Sequence, residues 1–243
     1  MKLLIVRHGD PDYDIDSLTE KGWKEVECLS QKLSKLDVKA FYVSPLGRAK
    51  DTAAPTLKKM GRTATECEWL KEFPCQIWRP DVKDKKIMAW DGLPQDWMAD
   101  ERFFQYDHWF ENEAMQEGHV KEEYDRVIGE FDKLLAKHGY ERKGHYYKVN
   151  EENNDTIIFF CHFGLECVLL SHLLNISPMV LWHGCVAAPS SVTTLTTEER
   201  RQGIAAFRMS SFGDISHLYA NNEPPAFAAR FCEAYGNKDQ RHD

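Results

Sequence analysis

The sequence has no Cys-x-x-Cys pair. Its seven cysteines, at positions 28, 67, 75, 161, 167, 185 and 232, are scattered and odd in number. That pattern argues against a structural zinc site and for free thiols in a reducing compartment. Positive charge is also scarce. Lys and Arg number 31 against 39 Asp and Glu, a net charge of -8, where a nucleic-acid binder would show a basic domain or stripe. An anionic small molecule is not excluded, because a small site can be locally positive on an acidic protein. No apolar run approaches the roughly 20 residues needed to cross a bilayer. The N-terminus passes from Met-Lys straight into a short apolar run with no small-residue cleavage site, so the expectation is a cytoplasmic protein without a membrane partner. There is no internal repeat and no low-complexity linker. The 243 residues fit one domain, 1–243, carrying an insertion at about 73–119.

What is present begins at once. Leu3-Leu4-Ile5-Val6 is an all-apolar run that breaks into Arg7-His8-Gly9, as a central strand ends in a turn. Ligand sites in open α/β sheets lie just outside such carboxyl ends. A second run of this kind, Thr156-Ile157-Ile158-Phe159-Phe160-Cys161, ends in His162-Phe163-Gly164. In a parallel sheet both ends emerge on one edge, so His8 and His162 can meet there.

Between them the pattern alternates. Thr19 or Ser17 can cap a helix running to about Leu36, with Val26, Leu29, Leu33 and Leu36 on one face. Ala40–Val43 reads as a strand. Ser44-Pro45 reads as the start of a helix that Gly61 stops. Arg48 then lies in a helix first turn, where anions are favoured. Residues 63–69 read as a further strand, leading to Glu72. From 73 to 119 prolines, glycines and aromatics (Trp78, Trp90, Trp97, Phe103, Phe104, Tyr106, Trp109, Phe110) are dense. This segment predicts short helices forming a satellite core or a lid, since an unstructured loop so long is uncommon. A helix is expected over 120–138, a polar surface loop or hairpin over 139–154, a helix after His162, a helical piece over 178–183, and strands over 186–197 and 203–209. The tail from Asn222 reads as a last helix. Strands alternating with helices make the fold a three-layer α/β/α sandwich with a mostly parallel central sheet.

His8, His162, Arg7, Arg48 and Glu72 thus converge on one sheet edge. That set supplies a nucleophile, cationic donors and a carboxylate, as phosphoryl transfer requires. Several motifs recur in order. They are Arg7-His8-Gly9, Leu18-Thr19-Glu20-Lys21-Gly22, Ser44-Pro45-Leu46-Gly47-Arg48-Ala49-x-x-Thr52-Ala53, Leu70-x-Glu72 and His162-x-Gly164. Together they resemble the histidine phosphatase superfamily, and more closely its phosphoglycerate mutase-like branch. The resemblance covers residues 1–72 and about 155–218. It implies that His8 is the nucleophile that becomes phosphohistidine, and that Arg7, Arg48 and His162 hold the phosphoryl oxygens. It makes Glu72 the proton donor to the leaving oxygen, later the base for water. It implies no metal or other cofactor, and a small phosphorylated substrate as the partner.

The chain also departs from the family. The hydroxyl residue and the downstream asparagine that many mutases and sugar phosphatases of this branch carry after Arg-His-Gly are replaced by Asp10-Pro11-Asp12-Tyr13-Asp14. Carboxylates beside an anion site repel a multiply charged substrate. The expected activity is therefore hydrolysis of a phosphate monoester. Phosphoglycerate mutase-type transfer is the alternative, and a non-catalytic binding protein on the same fold is a third reading. His217 is placed behind the site, and Cys161 is assigned to the core.

Overall fold

The computed structural model describes residues 1–227 and 234–237. Its frame is β1 (Lys2–Arg7), α1 (Glu20–Leu33), β2 (Ala40–Val43), α2 (Gly47–Met60), β3 (Thr65–Glu66), α3 (Val120–Lys137), β4 (Tyr140–Lys143) and β5 (Tyr146–Val149). It continues with β6 (Thr156–Cys161), α4 (Phe163–Leu174), α5 (Pro178–Gly184), β7 (Val192–Arg201), β8 (Ile204–Asp214) and α6 (Ser216–Tyr219). One sheet runs in the order β3-β2-β6-β1-β7-β8-β5-β4. Its core, β3-β2-β6-β1, is parallel, and β7 onward is antiparallel.

Side-chain alternation along the central strands builds the layers. Leu3 and Ile5 of β1 and Ile157 and Phe159 of β6 bury one face against α3, α4 and α5. Leu4, Val6, Ile158 and Phe160 bury the other against α1 and α2, through Leu29, Leu33, Ala49 and Ala53. Because successive strand residues point to opposite faces, an all-apolar strand must be covered on both. The three-layer α/β/α architecture follows.

Register then positions the chemistry. Arg7 pairs with Cys161 in the parallel β1–β6 ladder, and the His8 N–H continues it to the Cys161 carbonyl at 3.0 Å. The residues that follow each strand, His8 and His162, therefore leave the sheet side by side.

Several local expectations are corrected. Ser44 does not cap α2. The cap position is Leu46, with no side-chain bond, because the Ser44 hydroxyl is turned inward onto His162 and also accepts the Leu46 N–H. Helix α1 stops at Leu33, not Leu36. The Ser34 N–H closes onto Lys32 and Ser30, and Leu36 still packs against the core from outside the helix. The loop at 9–18 contains a small hairpin, Pro11–Asp12 with Ser17–Leu18. Of 63–69, only Thr65–Glu66 joins the sheet, and a 3-10 turn follows at Glu68–Leu70. Of the two alternatives for the polar stretch after α3, the hairpin forms, and it joins the main sheet because β5 pairs with the long β8. The strand expected over 186–197 is shifted, β7 starting only at Val192 and running to Arg201, and β8 continues past residue 209 to Asp214, with Gln202-Gly203 as the turn between them.

The aromatic segment 73–119 folds as a two-stranded ribbon with short helices and turns. Phe73, Trp97, Phe103, Trp109 and Met115 are buried in the same apolar cluster as α3 and α4. Trp109 packs edge-on to Tyr124 and Trp182. Most of the tail expected as a last helix falls outside the described residues, at 228–233 and 238–243.

Candidate active site

His8 is 2 % exposed. Its Nδ1 lies 2.8 Å from the Gly9 carbonyl. A carbonyl only accepts, so Nδ1 carries the hydrogen and Nε2 keeps its lone pair. Burial first, and then the charges of Arg7 and Arg48, drive the His8 pKa down to about 3. The ring is therefore neutral at physiological pH.

His162 is fully buried, with its ring centroid 5.2 Å from that of His8. Its Nε2 meets the Ser44 hydroxyl at 2.8 Å. Ser44 Oγ already accepts from the Leu46 N–H, so its own hydrogen can be given to Nε2, leaving Nδ1–H as a donor. Burial again, followed by His8, Arg48 and Arg7, holds the His162 pKa well below its usual value.

The two arginines approach from different elements. Arg7 ends β1, gives one N–H to the Ala187 carbonyl at 2.5 Å, and lies over the Phe163 ring at 5.7 Å. Arg48, in the first turn of α2, is bound to Asp16 at 2.6 Å and lies over Tyr13 at 5.4 Å. The Nε atoms of both arginines and Nδ1 of His162 are buried and have no hydrogen-bond partner among the described residues. Buried donors are ordinarily satisfied. Here three are left unsatisfied, on groups that act electrostatically on His8 or on its neighbour His162.

Glu72 follows the 3-10 turn. Its Oε1 accepts from the N–H groups of Phe73 (2.8 Å) and Leu165 (3.0 Å), and Oε2 accepts from Gly164 (3.4 Å). The last two belong to the first turn of α4, whose amino end favours an acid. Burial outweighs these bonds and the Arg7 charge, so the Glu72 carboxyl titrates above its ordinary range. Gly164 is required by this packing. A Cβ there would lie 2.7 Å from Trp90 Nε1 and 2.8 Å from Glu72 Oε1. Three other acids near Glu72 in sequence are occupied elsewhere: Glu66 with Lys50, Glu68 with Lys71, Asp81 with Arg79.

All five residues singled out in the sequence are thus brought to one sheet edge. Several partners were not foreseen. Thr52 Oγ1 accepts the Gly9 N–H at 2.9 Å and bonds the Arg48 carbonyl at 2.7 Å, tying the turn after His8 to α2. Asp16 bonds both Arg48 and the Gly47 N–H. Burial alone would raise its pKa, but the Gly47 and Arg48 bonds overcome this and leave it lowered. Ser190 donates its N–H to the His8 carbonyl, and its hydroxyl meets His217 Nε2 at 3.0 Å. His217 therefore supports the His8 turn from behind. Glu166, one turn into α4, is 1 % exposed and faces Arg7. Cys161 is fully buried, and burial pushes its thiol well above the usual range. No group of His, Cys, Asp and Glu suited to a metal ion occurs among the described residues. No helix among them is long and apolar enough to cross a membrane.

Residues 3–209 match the family model of the histidine phosphatase superfamily, branch 1. A 2,3-bisphosphoglycerate-dependent phosphoglycerate mutase of Thermoplasma acidophilum is 37% identical over 60 residues, covering 21% of this chain and 30% of that enzyme. The matched stretch is thus under a third of the length of that curated relative. Among solved structures, phosphoserine phosphatase of Entamoeba histolytica in complex with 3-phosphoglyceric acid superposes with TM-score 0.56 at 19% identity. That match covers 89% of this chain and 98% of the other. A mycobacterial glucosyl-3-phosphoglycerate phosphatase with inorganic phosphate gives 0.57 at 18% identity, covering 89% and 98%. At such identities the likeness is one of fold.

Proposed function

Since the chain belongs to the histidine phosphatase superfamily, we propose that it hydrolyses a phosphate monoester through a phosphohistidine formed on His8. The observation that carries this reading is a neutral His8 with a free Nε2 lone pair, set among buried donors, Arg7 Nε, Arg48 Nε and His162 Nδ1, that no group among the described residues satisfies. Nε2 attacks phosphorus, and the bond to the ester oxygen breaks. The departing oxygen takes its electron pair and receives the proton of Glu72, which burial keeps available. Water then attacks the phosphohistidine and gives a proton to the Glu72 carboxylate. The P–N bond breaks, its electrons return to Nε2, and inorganic phosphate leaves. Arg7, Arg48 and the His162 Nδ1–H neutralise and orient the three non-bridging oxygens, which is where most of the catalytic effect in phosphoryl transfer arises.

Two features support hydrolysis over mutase-type transfer. Asp16 already neutralises Arg48. Among the described residues, Arg7 and Arg48 are the cations that act most strongly on His8, His162, Glu72 and Glu166. A substrate bringing a second phosphate to this position would find no further strong positive charge among the described residues. The substrate is a small phosphorylated molecule, a class to which the phosphoserine and glucosyl-3-phosphoglycerate named in the phosphatase relatives belong.

The test is turnover of a panel of phosphate esters in EDTA, with capture of labelled phosphate on His8. Turnover that His8→Ala abolishes supports the reading, and an inert protein that captures no phosphate overturns it. A coupled assay primed with 2,3-bisphosphoglycerate decides the direction: interconversion of the phosphoglycerates would replace hydrolysis with transfer.

A further inference from the structure

The mechanism leaves one buried carboxyl group unused. Glu166 belongs to the first turn of α4, and its N–H bonds the carbonyl of His162 at 2.9 Å. The side chain is 1 % exposed, no charged group hydrogen-bonds its oxygens among the described residues, and the Thr193 hydroxyl is the polar group set against them. An ionised carboxylate cannot be held so without a counter-charge. The groups that face it can be named element by element. Arg7 comes from the end of β1, Glu72 from the turn beyond the 3-10 segment, and the Thr193 hydroxyl from β7. Cys161 from β6, Cys167 from α4 itself and Cys185 beyond α5 also lie within its field. Arg7 is the single cation in that set. It is also one of the two arginines positioned for the phosphoryl group, and its buried Nε is unpartnered.

The geometry points to Glu166 as a proton-linked positioning residue: protonated, it leaves Arg7 free for a phosphoryl group; ionised, it pairs electrostatically with Arg7 and competes with the substrate. This rests on the reading of the site as a phosphoryl pocket. Burial pushes the Glu166 carboxyl up to about 7, with Arg7 pulling the other way. The competition therefore falls in the physiological range. A dianion bound beside Arg7 disfavours ionisation of Glu166 further, so binding draws a proton onto it.

Sulfate is the probe, because it does not titrate between pH 6 and 9, whereas phosphate does. Calorimetry on the intact chain, in buffers of different ionisation enthalpy, reads both affinity and proton uptake. The expected result is sulfate binding about tenfold weaker at pH 8 than at pH 6, with uptake of up to about one proton. Glu166→Gln abolishes the uptake and flattens the pH dependence, whereas a purely structural role for Glu166 would move neither. Uptake that survives in Glu166→Gln but disappears in Glu72→Gln would assign the proton to Glu72 and overturn the inference. If Glu166→Gln does not fold, infrared difference spectra of Glu72→Gln with and without sulfate replace it. A carboxylate band lost for a protonated-carboxyl band supports the inference, and an unchanged carboxyl region overturns it. Sulfate binding with no proton uptake removes the inference alone. Absence of sulfate binding, with the His8 ring resonances unmoved, removes the phosphoryl reading as well.

Discussion

The strongest consequence of the site concerns His8 in acid. A solvent-exposed histidine titrates near 6.5, and would be about 3 % neutral at pH 5. His8 is pulled down to about 3, by burial first, then by Arg7, with Arg48 adding to the effect and the Gly9 carbonyl and Asp16 opposing it. At that value about 99 % of the ring is neutral at pH 5, a gain of about thirtyfold in competent nucleophile. The environment thus disfavours the imidazolium by about 5 kcal/mol, an order-of-magnitude figure. The sign for stability follows. The folded state binds fewer protons here than the unfolded chain. His8 therefore costs nothing above about pH 6.5, and removes stability progressively as pH falls from there toward 3. The assay is nitrogen-15 NMR of ring-labelled histidine in the free protein from pH 8 to 4, paired with single-turnover capture of phosphate on His8. The expected result is a His8 ring that stays in the Nδ1–H tautomer to about pH 4, and phosphoenzyme formation that persists below pH 5. Removal of the Arg7 charge by Arg7→Met should move the titration upward. A His8 midpoint between 6 and 7 in the folded protein would refute the reasoning, because burial and the two arginines would then not govern the ring.

Three further outcomes are expected. Ser44→Ala leaves His162 Nε2 buried without its 2.8 Å partner. At about 1–3 kcal/mol for an unsatisfied buried group, kcat/KM should fall about tenfold, and unchanged steady-state kinetics would show that Ser44 does not orient the ring. Gly164→Ala forces a methyl to within 2.8 Å of Glu72 and 2.7 Å of Trp90. Its kcat should fall steeply for alkyl phosphates, whose leaving oxygen needs the proton, and much less for p-nitrophenyl phosphate; equal losses on both would separate Glu72 from proton donation. Trp109→Ala empties a site that is 1 % exposed and packed on Tyr124 and Trp182. Denaturant unfolding should register a loss of about 3–5 kcal/mol, and a loss under about 1 kcal/mol would mean that segment 73–119 does not share the main core.

What was readable in the sequence depended on local signals. Strands β1 and β6 were legible because both of their faces are buried, so their residues are apolar without alternation. The residue that follows each strand, His8 or His162, is a histidine of the candidate site. Arg48 was legible because Gly61 fixed the far end of its helix. The groups that went unread act through contacts distant in sequence. Ser44 looked like a helix cap because serine caps locally, and only the packing of β2 beside β6 shows that its hydroxyl belongs to His162. Asp16 looked like one more loop acid, yet it pairs with an arginine 32 residues away. Glu166 had a signal that could have been used: a lone carboxylate inside the apolar run Phe163–Leu174. A buried helix does not keep a charge without a counter-ion, and nothing near in sequence supplied one.

Burial, with Arg7 and Arg48, keeps both histidines neutral, and Asp16 opposes this at His8. With His8 and His162 uncharged, the positive charge of the site belongs to the guanidinium groups of Arg7 and Arg48. Asp16 balances Arg48, leaving Arg7 as the uncompensated cation when the buried glutamates are protonated. On the mechanism and the inference proposed above, protons on Glu72 and Glu166 serve different ends through one arginine. The first can be passed to a leaving oxygen, and the second keeps Arg7 available to the phosphoryl group. Alkaline conditions would weaken both functions, and acid would weaken neither until His8 itself is protonated near pH 3. The site is therefore arranged to tolerate acid better than base, an asymmetry that arises from burial around Arg7 rather than from any single residue type.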